Sequence, residues 1–264
     1  MDTQGEQSPG PIDGHVTENP SLPAHPMYTQ EPRSNFAPQY ITPAAESDHP
    51  KEDYFIFRPP LLEQAIQEVK SRLSKEEDGE MRSVWILTTI SHWGTETEVL
   101  GLLCDLSLLL CYYDFVGLCS SRIFRIPLNY IDTVTWGPLS YPRMSLHKRE
   151  GQALQVQWDK LRPPPSFLSR WNPWADDFPY IIITQHPGAT KREELQGMCQ
   201  LEQFMEHLVE LIRLSHDRNP LPGRANGLLY LQRPVNIGTS LGLVSLVNTS
   251  IQLGYAKSRS GFGF

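Results

Sequence analysis

Apolar residues recur along this chain at two periods, and the change of period marks out its elements. Leu61, Leu62, Ala65, Ile66, Val69 and Leu73 repeat at three and four residues, which predicts a helix with one buried face. Pro59 and Pro60 open it, where a missing N–H costs nothing. Glu63, Gln67, Lys70 and Lys75 take the wet side, and Asp78-Gly79 ends the unit. Ahead of it, Tyr54 to Phe57 reads as a short aromatic strand.

The next hundred residues read as a run of strands. Val84 to Ile90 is the first, and His92-Trp93-Gly94-Thr95 is its turn. Val99 to Cys104, Leu108 to Tyr113, Leu118 to Ile126 and Ile131 to Trp136 follow. Gln152 to Trp158 alternates through Leu154, Val156 and Trp158, and Tyr180 to Thr184 is a β-branched run. Short strands at near-regular spacing imply antiparallel pairing, because parallel pairs need long crossovers.

Glu193 to Leu214 is the clearest helix. Leu195, Met198, Cys199, Phe204, Met205, Leu208, Val209, Leu211 and Ile212 form its apolar stripe. Glu193 and Glu194 at its start, and Arg213, His216 and Arg218 at its end, suit the helix dipole. A strand-like Leu228 to Leu231 and a weaker apolar segment, Ile237 to Leu253, complete the chain. About seven strands and one amphipathic helix predict an α+β fold. The outline is a pleckstrin-homology-like curved antiparallel barrel closed by that helix, with an extra N-terminal helix and a C-terminal extension.

Composition divides the chain in two. Nine of the 23 prolines fall in residues 1–50, with seven acidic side chains and one basic one, a net charge of −6. The whole chain is −7, so residues 51–264 sit near −1. A Pro-rich acidic segment with few apolar residues cannot offset its chain entropy, so residues 1–50 read as a disordered tail ahead of one domain, 51–264. A near-neutral domain has no field to draw in nucleic acid. Cys104, Cys111, Cys119 and Cys199 form no C-x-x-C pair, and no His stands at zinc-ligand spacing. Buried free thiols and an opening that lacks the pattern of a secretory signal point to the cytosol.

Candidate chemistry is sparse. Cys119 and Arg125, with five residues between them, match a cysteine-phosphatase pattern. That chemistry needs a tight loop of N–H groups around a phosphate, and Ser120 to Phe124 read as strand instead. The eight histidines show no triad order and read as surface or capping residues. No cofactor is implied. Arg143, His147, Lys148 and Arg149 form a basic loop. It is either a solvated loop balanced by Glu150 and Asp159, or a site for an anion or acidic-lipid headgroup through Arg143, Lys148 and Arg149. Arg170-Trp171-Asn172-Pro173-Trp174 brackets a turn with two indoles, which either plug the end of the barrel or anchor a partner. The helix at 193–214 carries Glu193, Glu194, Glu202, Glu206 and Glu210, unlike the basic helices that calmodulin takes.

Several segments together resemble a known family. They are Asp53 to Pro59, His92-Trp93, Tyr113-Asp114-Phe115, Arg125 to Leu128, Lys148 to Gly151, Gln157 to Lys160, Arg170 to Trp174 and Leu253-Gly254-Tyr255. In order and spacing they resemble the tumor protein p63-regulated gene family, from about residue 53 to the end. The resemblance implies a homology domain shared with a Sac-type inositol phosphatase, outside that enzyme's catalytic part and thought to dimerise. It implies a non-catalytic, cytosolic regulator like the Mover-like members. Those associate peripherally with synaptic vesicles, bind the scaffold Bassoon and calmodulin, and tune transmitter release. The sequence departs from the family at Gly94 to Val99, at Leu106 and at Tyr112, as a divergent paralogue would. Two functions follow as expectations: a vesicle-associated adaptor, or a module that binds phosphoinositides or other acidic lipids.

Overall fold

The computed structural model describes residues 28–29, 54–115, 117–143, 145, 148–159, 178–189 and 193–238. Helix α1 (Pro59–Ser71) begins on two prolines and buries Leu62, Ala65 and Val69. Asp78-Gly79 then turns the chain, with Gly79 at φ 73°. Tyr54 to Phe57 is not a strand. Phe55–Phe57 is a 3₁₀ turn, closed by Phe57 N–H to the Tyr54 carbonyl at 3.1 Å. Three of its four side chains are buried together, and a 3₁₀ turn can point consecutive side chains inward where a strand would send alternate ones out.

Among the described residues, ten strands form one sheet. They are β1 (Tyr28–Thr29), β2 (Met81–Ile90), β3 (Glu96–Cys104), β4 (Ser107–Asp114), β5 (Cys119–Pro127), β6 (Ile131–Ser140), β7 (Gln152–Trp158), β8 (Tyr180–Gln185), β9 (Leu229–Gln232) and β10 (Val235–Asn236). The strand order is β1-β5-β4-β3-β2-β8-β7-β6-β10, and β9 also pairs with β6. All pairs are antiparallel except β9 and β10, which run parallel to β6. The kink between those two strands brings the Arg233 carbonyl against Gly137, where a Cβ would collide with it.

Helix α2 (Leu201–Arg218) lies on one face of the sheet and α1 on the other. Trp85, Leu87, Val99, Leu103, Leu108 and Leu110 pack in a cluster with Phe204, Leu208 and Ile212 of α2. Their neighbours in the same strands, Ile86, Leu100, Leu102, Leu109 and Cys111, pack with Leu62, Ala65 and Val69 of α1. Alternate residues therefore point to two buried faces. That is why β3 and β4 read as continuous apolar runs rather than as alternation.

The sheet is open, not a closed barrel. β5 and β6 are consecutive in sequence but stand far apart in the strand order, and they do not pair among the described residues. Pro127 and a 3₁₀ turn (Leu128–Tyr130) separate them. Side chains of α2 share a cluster with Phe124 and Ile126 of β5 and Ile131 and Val134 of β6. The Ile131 carbonyl accepts from His216 Nε2 of α2 at 2.8 Å. The helix thus takes contacts that strand pairing would need. It also starts later than its apolar stripe suggests. Glu193–Cys199 is 3₁₀, the α-helix begins at Leu201, and Gly197 in the first stretch disfavours a continuous α-helix.

Candidate functional site

The cysteine-phosphatase pattern does not assemble. Cys119 and Arg125 lie on one strand, β5, where six residue steps of about 3.3 Å hold them roughly 20 Å apart along the strand. The Arg125 guanidinium is committed elsewhere. It donates to both carboxylate oxygens of Asp78, at 2.7 and 3.0 Å, and pairs with Glu77 at 2.8 Å. Asp78 is fully buried and also accepts from the Ser107 hydroxyl at 2.6 Å and the Ser74 N–H at 2.9 Å. This is a clamp that ties the end of the α1 unit to β4 and β5. Cys119 is exposed. Cys104, Cys111 and Cys199 are buried, and burial pushes each thiol up to about 12.

The basic loop joins β6 to β7, and its cations divide between two roles. Arg149 turns inward. Its Nη1 lies 2.5 Å from Glu96 at the start of β3, and its Nη2 donates to the Gln185 carbonyl at the end of β8. Glu96 is 2% exposed, so Arg149 serves as its counter-charge. Nearby, burial first and Glu96 second push the Tyr141 phenol up to about 12, against the pull of Arg149. Arg143 and Lys148 stay exposed, with Lys148 Nζ donating to the Arg143 carbonyl at 3.3 Å. Asp159, expected to balance the loop, pairs instead with Arg224 at 2.5 Å. His147 and the segment with Arg170, Trp171 and Trp174 lie outside the described residues.

A second polar cluster is one that the sequence does not reveal. His186 was expected in a surface turn, yet it is buried between the rings of Tyr54 and Phe57, at centroid distances of 4.7 and 5.0 Å. Its Nδ1 accepts the Gly188 N–H at 3.0 Å, which places the ring proton on Nε2. Nε2 then donates to Glu98 at 2.8 Å. Burial raises the Glu98 carboxyl above its ordinary range, and the hydrogen bond from His186 opposes that rise. A side chain at Gly188 would collide with Phe57 and Tyr54. His216, also expected at the surface, is buried too. The residues before α1 are therefore locked to the end of β8. The only local sign is the alternation of Glu96 and Glu98 with Thr95 and Thr97, which fits a strand with two acids facing one way. Their partners are 53 and 88 residues distant.

Comparison with known proteins bears on these sites. Residues 53–159 match the family described as hSac2, inositol phosphatase. The chain is 36% identical over 211 residues to human tumor protein p63-regulated gene 1 protein, covering 80% of this chain and 76% of that protein. The chain belongs to the tumor protein p63-regulated gene 1 family. The shared span of this family member includes the Asp78–Arg125 clamp and the β6–β7 loop within its hSac2 match. The solved hSac2 domain of human phosphoinositide phosphatase Sac2 overlaps it with a TM-score of 0.41 at 14% identity, over 69% of this chain and 94% of that chain. An overlap that loose transfers no chemistry to the p63-regulated gene 1 family.

Proposed function

We propose that this protein is a non-catalytic regulatory adaptor that sits peripherally on vesicle membranes and is held there mainly by protein partners. The observation that carries this reading is Arg149. Three loop cations could meet an acidic headgroup, but Arg149 is already spent on buried Glu96. Arg143 and Lys148 remain. Two cations near an anionic surface contribute about 1 kcal/mol each, which is roughly thirtyfold in binding. That assists a membrane encounter and is too little to hold the protein there, so protein contacts must supply the rest. The active-zone scaffold Bassoon, calmodulin and a second copy of the chain are the partners that the family resemblance puts forward, with tuning of transmitter release as the role. In this reading the open sheet, with α2 packed against both β5 and β6, serves as a scaffold.

A second reading, a phosphoinositide-binding module, is favoured by the side-by-side placement of Arg143 and Lys148. The two separate by charge removal. Arg143→Ala with Lys148→Ala should lower binding to intact vesicles by no more than roughly thirtyfold. Loss of all vesicle binding in that variant, with the fold intact by circular dichroism, would support the lipid module instead.

A further inference from the structure

The edge of the sheet at β5 has an occupant from the chain itself. Tyr28 lies opposite Phe124 and Thr29 opposite Ile123, in antiparallel register, so β1 extends the sheet beyond β5. We infer that the outer edge of β5 is a strand-addition site whose resident is this chain's own strand β1, Tyr28–Thr29.

Three observations support it. First, β5 is the last long strand on its side of the order, with β4 on its inner edge. Its outer backbone N–H and C=O groups are the kind that an added strand satisfies. Second, the segment is built for a short strand. Tyr28 and Thr29 favour extended backbone, while Pro26 and Pro32 stop a ladder from growing in either direction because proline donates no N–H. Third, the sequence next to the strand carries an acid, Glu31, and β5 carries Arg122, held over the Tyr112 ring at 4.6 Å. Arg125, on the same strand, is committed to Asp78 and Glu77 and adds nothing to this match.

The contact is suited to opening. Two paired residues are a marginal strand on their own. Residues 30–53, 24 residues of chain, join them to the domain. A tether of that kind supplies an effective concentration in the millimolar range, enough to populate a weak contact. The strap therefore closes β5 by proximity, and an extended acidic peptide that pairs with more of the nine β5 residues displaces it. This inference does not depend on vesicle binding and stands or falls separately from it.

Cysteine trapping tests it in the full chain with Cys119→Ser and with Cys111→Ala, since Cys111 stands opposite Ile123 on β4. Directly opposed residues in an antiparallel pair have Cα atoms about 4.5–5.5 Å apart, within disulfide range. Thr29→Cys with Ile123→Cys should form an intramolecular disulfide at least tenfold faster than Thr42→Cys with Ile123→Cys, although position 42 is tethered closer to the domain. Adding Tyr28→Pro should reduce the rate to that control. Equal rates, or a product that joins two chains, would overturn the inference. If the Ile123 change impairs folding, hydrogen exchange of the chain without cysteine changes decides. Tyr28→Pro with Thr29→Pro should speed exchange of the outward-facing amide at Ile123 or Phe124 at least threefold, and an unchanged rate would overturn the inference.

Discussion

Arg125 grips Asp78 through two hydrogen bonds across 47 residues of chain, and the carboxylate it holds is fully buried. Removing the arginine strands a buried charge. Breaking such a pair costs about 3–5 kcal/mol, and the lower end applies because Arg125 keeps 27% of its side chain exposed. Arg125→Ala should therefore lower unfolding free energy by about 3 kcal/mol in urea titration. Cys119→Ser, at an exposed position, should change it by less than about 0.5 kcal/mol. Cys119→Ser should also leave phosphate release from inositol phospholipids at the level of the unaltered chain. A selective loss in the serine variant would revive phosphatase chemistry.

Glu98 gives a pH signature. Its carboxyl is raised in the folded protein above an ordinary value of 4.5, chiefly by burial. Between that value and the folded one, the folded state holds more protons than the unfolded state, so stability falls as pH rises. The contribution is complete below 4.5 and is lost as pH passes the folded value. Glu98→Gln keeps an acceptor for His186 Nε2 and removes the titration. The stability of Glu98→Gln relative to the unaltered chain should rise as pH goes from 4.5 towards neutral. Urea titrations across that range check it, and a constant or shrinking difference would contradict the assignment.

These two clusters show what the sequence could and could not convey. Strands β4 to β8 were legible to within a few residues because they are apolar runs between turn residues. The face of α1 was legible because three- and four-residue spacing is a local property. The Phe55–Phe57 turn was missed because an aromatic run favours a strand by propensity, while packing against His186 decides the backbone. The burial of Glu98 and His186 has no local signature, since each acid or imidazole looks like a surface residue until its partner arrives from 88 residues away. The basic loop was legible as a cluster, but the diversion of Arg149 to Glu96 depends on the meeting of β3, β7 and β8.

That diversion separates the loop cations. Arg149→Ala leaves Glu96 buried without its counter-charge and should cost about 2–3 kcal/mol. Lys148→Ala, at an exposed position whose ammonium donates to the Arg143 carbonyl, should cost less than about 0.5 kcal/mol. Thermal melts of the two variants side by side would show the contrast. Equal losses would mean that Arg149 is a surface cation like its neighbour.

Two glycines should respond in opposite directions. Gly188 has the Phe57 and Tyr54 rings where a Cβ would go, so Gly188→Ala should destabilise by about 1–3 kcal/mol, as overpacking does. Gly197 has open space at that position and no positive φ. Gly197→Ala should stabilise by about 0.4–1 kcal/mol by restricting the unfolded chain. Urea midpoints of both variants check the pair.

Whether protein or lipid holds this chain on a vesicle is measured most directly by co-sedimentation with three surfaces: intact synaptic vesicles, protease-stripped vesicles, and protein-free liposomes of the same anionic lipid content. Each is assayed at low salt and at about 0.5 M salt, where surface charge is screened within a few ångströms. The adaptor account predicts binding to intact vesicles that survives high salt and falls at least tenfold on stripped vesicles and on liposomes. Equal binding to all three surfaces, lost at high salt, would contradict it.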